Sequence, residues 1–255
     1  MMRQRMTGGN WKMHTTLPEA LALAGDVRHR LGSQRLGDVV IFPPFPFLQP
    51  VAEKMAGSQV TVGAQDLHFE PKGAFTGAVS AAMLASVGCT HVLCGHSERR
   101  AIFGDSNAIV GKKLTAAIAA GLKPVLCVGE QLAERQNGTT FAIVDAQLEA
   151  GLAGQTAQTL QNLVIAYEPV WAIGTGLTAS PEQAQEVHAH IRGWLGAKLG
   201  KDFAQQCRIQ YGGSVKGANA AGLFAMPDID GMLVGGASLT ADEFAAIVRA
   251  GRATP

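Results

Sequence analysis

Cysteine is scarce in this chain, and what there is forms no motif. Cys89, Cys94, Cys127 and Cys207 include no C-x-x-C pair. Most of them lie in or beside apolar runs, so small buried thiols in a reducing compartment are expected, not a disulfide framework. An excess of one charge is also lacking. The 21 Lys and Arg nearly balance 20 Asp and Glu, leaving +1. The basic residues form no run and interleave with no aromatics, so no field favours nucleic acid or a membrane surface. No stretch approaches about 18 uninterrupted apolar residues, which excludes a membrane-spanning helix. Arg3 and Arg5 are followed by no apolar segment, so no secretory signal is expected and the chain reads as cytoplasmic. Without such a signal, Asn137-Gly138-Thr139 is a polar turn rather than a glycosylation site. Metal-ligand spacing is missing as well. His188 and His190 are two positions apart on a predicted helix and point to different faces. Gly111-Lys112-Lys113 lacks the upstream glycine spacing of a phosphate loop.

Apolar residues are plentiful. They make up 47% of 255 residues, enough to bury a core without staples. No Gly-, Ser- or Pro-rich linker divides the chain, so residues 1–255 read as one domain. Short apolar runs recur at Val39–Phe42, Val60–Gly63, His91–Cys94, Pro124–Val128, Leu163–Tyr167, Arg208–Tyr211 and Gly231–Val234. Most lack period-2 polarity, as strands covered on both faces do. Met6–Asn10 is an eighth candidate, against the propensity of its glycines. Between the runs lie helical segments with start signals. Thr16 to Glu19, Thr240 to Glu243 and Ser180 to Gln183 each fit a capping box, the last with Pro181 at the first helical position. Val187, Ile191, Trp194 and Leu195 share one helix face, as do Phe141, Val144, Leu148 and Leu152. Eight alternations of strand and helix in this length predict an α/β fold, a closed (β/α)8 barrel of parallel strands with outer helices.

Active sites of such barrels are built from the loops that follow the strands. Those loops here carry Asn10 and Lys12 after the first strand, His96 and Glu98 after the fourth, and Glu168 at the end of the sixth. Ser214 follows the seventh strand, and Gly235 and Gly236 follow the eighth. Taken singly, each has a bland reading: a solvated carboxylate, a structural histidine, a surface lysine, an ordinary turn. Together they place a Lys, a His, a Glu and two anion-ready glycine loops at one mouth.

Gly-Asn-Trp-Lys-Met, Gly-His-Ser-Glu-Arg-Arg, Tyr-Glu-Pro-Val-Trp-Ala-Ile-Gly-Thr-Gly, Tyr-Gly-Gly-Ser-Val and Val-Gly-Gly-Ala-Ser-Leu stand here in that order. They resemble the signature stretches of the triosephosphate isomerase family, over nearly the whole chain. The resemblance implies interconversion of dihydroxyacetone phosphate and D-glyceraldehyde 3-phosphate through an enediolate. Glu168 would be the base, His96 a neutral electrophile, Lys12 a fixed positive charge, and Asn10 would orient Lys12 and substrate. Gly174, Ser214, Gly235 and Gly236 would hold the phosphate. Pro169, Val170, Trp171, Ala172, Ile173, Gly174, Thr175 and Gly176 would form the lid, which extends to Ala179. No metal or cofactor is implied. The segment Gln65–Val79 resembles a loop that inserts into a partner subunit, with Thr76 approaching the partner's site near Glu98, so a homodimer is implied. His14, Ala78 and Cys94 depart from the family's commoner residues, and Ala78 removes one possible contact of that loop.

Two other readings compete. Another phosphate-binding barrel, such as a sugar-phosphate epimerase or an indole-pathway isomerase, would not need Lys12, His96 and Glu168 in this arrangement. A non-catalytic phosphometabolite-binding barrel would usually have lost the base or the lid, and both stretches are present.

Overall fold

A computed structural model describes residues 3–34, 36–174 and 176–252. Its strands are β1 Met6–Asn10, β2 Asp38–Phe42, β3 Val60–Ala64, β4 His91–Cys94, β5 Lys123–Val128, β6 Val164–Tyr167, β7 Arg208–Tyr211 and β8 Gly231–Val234. Each pairs in parallel with the next, and β8 returns to β1, so the eight close into a barrel. This is a (β/α)8 barrel, as the alternation predicts.

The helices are α1 Leu17–Leu31, α2 Leu48–Met55, α3 Ala81–Ser86, α4 Ser97–Phe103, α5 Asn107–Ala119 and α6 Leu132–Gln136. Then come α7 Thr140–Gly151, α8 Pro181–Leu199, α9 Lys201–Gln206, α10 Gly217–Phe224 and α11 Ala241–Ala250. None is long and apolar enough to cross a membrane, among the described residues.

Two apolar layers follow from strand geometry. Side chains alternate between the barrel interior and the helix side. Met6, Val40, Phe42, Leu93, Val125, Cys127, Val164, Ala166 and Leu233 cluster inside. Val39, Ile41, Val92, Leu126, Ile165 and Ile209 face the helices, where Val144, Leu148, Val187, Ile191 and Leu195 meet them. All four cysteines are free and buried, and burial pushes the Cys89 thiol up to about 12.

The glycines of β1 are explained by space. A Cβ on Gly8 would come within 3.1 Å of Leu233 and Phe42, and one on Gly9 within 3.1 Å of Phe244 and Ser238. Large neighbours on both faces leave no room for side chains there, and closure of the barrel supplies the pairing that glycine does not favour by itself.

Two of the three predicted capping boxes form. The Thr16 N–H donates to Glu19 at 2.7 Å. Ser180 and Gln183 exchange bonds of 2.9 and 3.2 Å. The third does not. Thr240 makes no side-chain cap, and Glu243 instead accepts the Gly217 N–H at 3.1 Å, at the start of α10. An open N–H on a neighbouring helix end attracts the carboxylate as well as its own helix would. Phe141 also leaves its expected face. It is exposed and stacks on His190 with centroids 4.2 Å apart.

Candidate active site

The mouth of the barrel holds a cavity of about 570 Å³. Asn10, Lys12, His96 and Glu168 line it together with Gly174, Ser214, Gly235 and Gly236. The predicted catalytic and phosphate-binding residues therefore share one space, though they come from five separate strand-to-helix connections.

Asn10 closes β1, and its side-chain oxygen accepts the Lys12 N–H at 3.0 Å. That bond accompanies a left-handed Lys12 backbone, φ +51°. A non-glycine residue in this region carries strain and persists only when its surroundings enforce it. Gln65 supplies a second restraint. Its side-chain NH2 donates to the Lys12 carbonyl at 2.7 Å and to the Phe42 carbonyl at 2.8 Å. The Lys12 ammonium is thereby held over the mouth, 2.5 Å from a Glu98 oxygen.

His96 precedes α4 at its N-cap position. Its Nδ1 accepts the Glu98 N–H at 3.2 Å, so that nitrogen carries no proton. The proton therefore sits on Nε2, which lies 3.0 Å from Glu168 Oε1. The other Glu168 oxygen accepts the buried Ser97 N–H at 2.8 Å. Burial raises the Glu168 carboxyl, but His96 and the Ser97 N–H outweigh it and hold the group below the usual carboxylate range. Burial likewise lowers His96, and the neighbouring Glu168 carboxylate more than offsets this while the pair lasts.

Glycine is required beside Glu168. A Cβ on Gly212 would meet the Glu168 side chain at 2.9 Å. One on Gly213 would lie 2.2 Å from the Tyr211 hydroxyl. Gly235 faces the Lys12 stem, where a Cβ would approach to 3.3 Å.

The segment after Glu168 begins with a single 3₁₀ turn, Val170–Ala172. The Trp171 indole N–H donates to Glu130 at 2.8 Å, and Tyr167 donates its hydroxyl to the same oxygen at 3.1 Å. Of the predicted lid residues Pro169, Val170, Trp171, Ala172, Ile173, Gly174 and Gly176, Ile173 and Gly174 line the cavity, and Gly174 and Gly176 take left-handed φ of +70° and +84°. Thr175, also placed in the lid from sequence, lies outside the described residues. Thr76 sits on an exposed segment, while Glu98 stands beside Lys12 in the mouth.

Lys113 is structural rather than phosphate-binding. It is buried and donates to Asp66 and Asp105, both at 2.6 Å. His188 and His190 point apart as expected: one is buried against the Asp228 carbonyl, the other pairs with Asp145. Sequence reasoning missed Gln65, Glu130 and Gln147. The first two act on Lys12 and Trp171, and the third on the backbone beside Glu168.

A family model described as triosephosphate isomerase matches residues 5–251. A relative from Thiobacillus denitrificans named triosephosphate isomerase is 55% identical over 249 residues, covering 98% of this chain and 99% of the relative. One of the same name from Carboxydothermus hydrogenoformans is 52% identical over 248 residues, covering 97% and 99%. Another, from Chlorobium phaeobacteroides, is 52% identical over 250 residues, covering 98% and 99%.

Proposed function

This chain belongs to the triosephosphate isomerase family, and from that premise we propose that it interconverts dihydroxyacetone phosphate and D-glyceraldehyde 3-phosphate through an enediolate. The observation that carries the reading is one cavity shared by Glu168, His96, Lys12 and the Gly235–Gly236 loop.

Glu168 is ionised at neutral pH and almost fully buried, so its carboxylate is a base with little hydration shell to shed. It removes the proton from the carbon beside the substrate carbonyl and returns it to the neighbouring carbon. Negative charge grows on oxygen during that step. His96 faces the cavity with its Nε2–H because Nδ1 is occupied by the Glu98 N–H. When substrate comes between His96 and Glu168, the interaction that raises the imidazole pKa weakens, and the neutral donor is favoured. Lys12 adds a positive charge held in place by Asn10 and Gln65. Fixed donors of this kind are each worth about 3–4 kcal/mol in the transition state. The phosphate lies against the open N–H groups of Gly174, Ser214, Gly235 and Gly236. The segment from Pro169 to Gly176 closes over it.

A homodimer fits the surface. Met13 (94% exposed), Ile102 (71%) and Phe103 (63%) leave large apolar area open to water, as do Phe75 and Met83. A second copy with Thr76 inserted near Glu98 would cover such residues.

The test is Glu168→Gln, which keeps shape and removes the base. Its kcat should fall by at least ~10³ with KM nearly unchanged. Retention of a tenth of the wild-type rate removes Glu168 from the role.

A further inference from the structure

Glu168 leaves the barrel along a backbone template. Its N–H donates to the Val128 carbonyl at 2.7 Å, and the Val170 N–H donates to the Glu130 carbonyl at 3.0 Å. Between those two bonds lies Gly129. A Cβ there would stand 1.7 Å from the Glu168 carbonyl oxygen, so the two main chains are in direct contact. Glu130 then holds the Trp171 indole. Residues 128–130 thus set where the base begins and where the lid departs.

Gly129 itself lies just past the end of β5. What fixes it is a side chain from α7. The Gln147 oxygen accepts the Gly129 N–H at 2.7 Å, and the Gln147 NH2 donates to the Gly129 carbonyl at 3.0 Å. One planar amide therefore grips both backbone groups of one residue. Gln147 is in turn anchored by its neighbours on the helix, since Val144 and Leu148 are both fully buried.

We propose that Gln147 is a positioning residue for the proton transfer. Its paired amide bonds to Gly129 press residues 128–130 against Glu168 and so set the direction of the carboxylate and the first hinge of the lid. The proposal rests on Glu168 being the base. Gly129 and Gln147 are half-buried, so water can take over both bonds when the amide is removed. Folding then changes little, while the carboxylate loses its fixed aim. Small displacements of a reacting group cost rate out of proportion to their size.

The experiment compares Gln147→Leu and Gln147→Glu with the parent enzyme, measuring kcat, KM and Tm. Gln147→Leu should lower kcat about tenfold, with KM within about twofold and little change in Tm. Gln147→Glu keeps the acceptor for the Gly129 N–H and loses the donor for its carbonyl, so its kcat should fall between the two. The leucine variant is then repeated in a Glu168→Asp background, where the carboxylate is already drawn back by one methylene. There its effect should shrink below about twofold. An equal loss in both backgrounds, a loss that follows Tm, or an unchanged kcat overturns the proposal. If Gln147→Leu does not fold, the glutamate variant decides: reduced kcat at constant KM supports the role, and unchanged kcat removes it. A wild-type rate from Glu168→Asp alone overturns the proposal, because the aim of the carboxylate then does not matter. The base itself is tested separately by Glu168→Gln, where retention of a tenth of the rate defeats it.

Discussion

His188 and His91 are imidazoles with almost no water around them, at 0% and 3% exposure. Burial pushes His188 down to about 4 and His91 down to about 3. The unfolded chain titrates both near 6.5. Below that pH the unfolded state takes up protons that the folded state refuses. Their stabilisation is therefore complete above 6.5 and is lost as pH falls toward the folded values, by on the order of 3–5 kcal/mol for each in the acid limit. Denaturant midpoints taken from about pH 7 to pH 4 should fall steeply for the parent chain and less steeply for His188→Gln. Parallel curves would mean that His188 does not stay neutral in the fold. At this scale the sequence was partly legible. Asn10, Lys12, His96 and Glu168 follow strand ends, where barrel chemistry is placed, so position alone nominated them. Gln65 and Gln147 follow no such rule. Each is a neutral amide bonding to main chain in another element, and local spacing carries no trace of that partner.

At the scale of elements, the proposed mechanism gives the segment from Ile173 to Gly176 the role of a lid. On the proposed route, the enediolate either takes its proton back or expels phosphate. Expulsion needs the carbon–oxygen bond to stand across the enediolate π system, and a lid closed as proposed would hold it near the plane and exclude water. Gly174 and Gly176 adopt φ values that suit glycine, and in the proposed mechanism the missing Cβ atoms would let the main chain approach the phosphate. Deleting residues 173–176 should lower isomerisation by several orders of magnitude while proton abstraction persists in part. The stranded intermediate should then decompose to inorganic phosphate and methylglyoxal. Quantifying both products per proton exchanged with solvent checks this, and a wild-type fraction of lost phosphate would reduce the segment to a binding contact. Strands were read closely from apolar runs, because both faces of a parallel barrel are covered. β1 was the exception, its glycines being demanded by Phe42, Leu233 and Phe244 from elsewhere in the chain. The missing cap at Thr240 has the same origin, since the Gly217 N–H that draws Glu243 away is 26 positions distant.

The whole molecule raises the question of assembly. Gln65–Val79 was read as a docking loop from resemblance, and its outer part is exposed in the single chain, with Phe75 43% open to water. His68 stacks on Phe69 and meets the tilted Phe75 ring, with centroids 4.5 and 4.3 Å apart, which gives the loop a shape before any partner arrives. Thr76→Arg would bury an unpaired charge in the proposed interface, at a cost of about 3–5 kcal/mol. Sedimentation should then find monomers of low activity, and a fully active dimer would place the loop tip outside the interface. The central claim, however, concerns one proton. It is tested most directly by letting the enzyme turn over D-glyceraldehyde 3-phosphate in D₂O and locating deuterium in the product by NMR. Transfer through an enediolate and a Glu168-bound proton that exchanges with solvent predicts deuterium at the hydroxymethyl carbon of the product and not at the phosphate-bearing carbon, with uptake abolished in Glu168→Gln. Undiminished turnover with undiminished deuterium uptake in Glu168→Gln would take the proton away from Glu168 and would contradict the account.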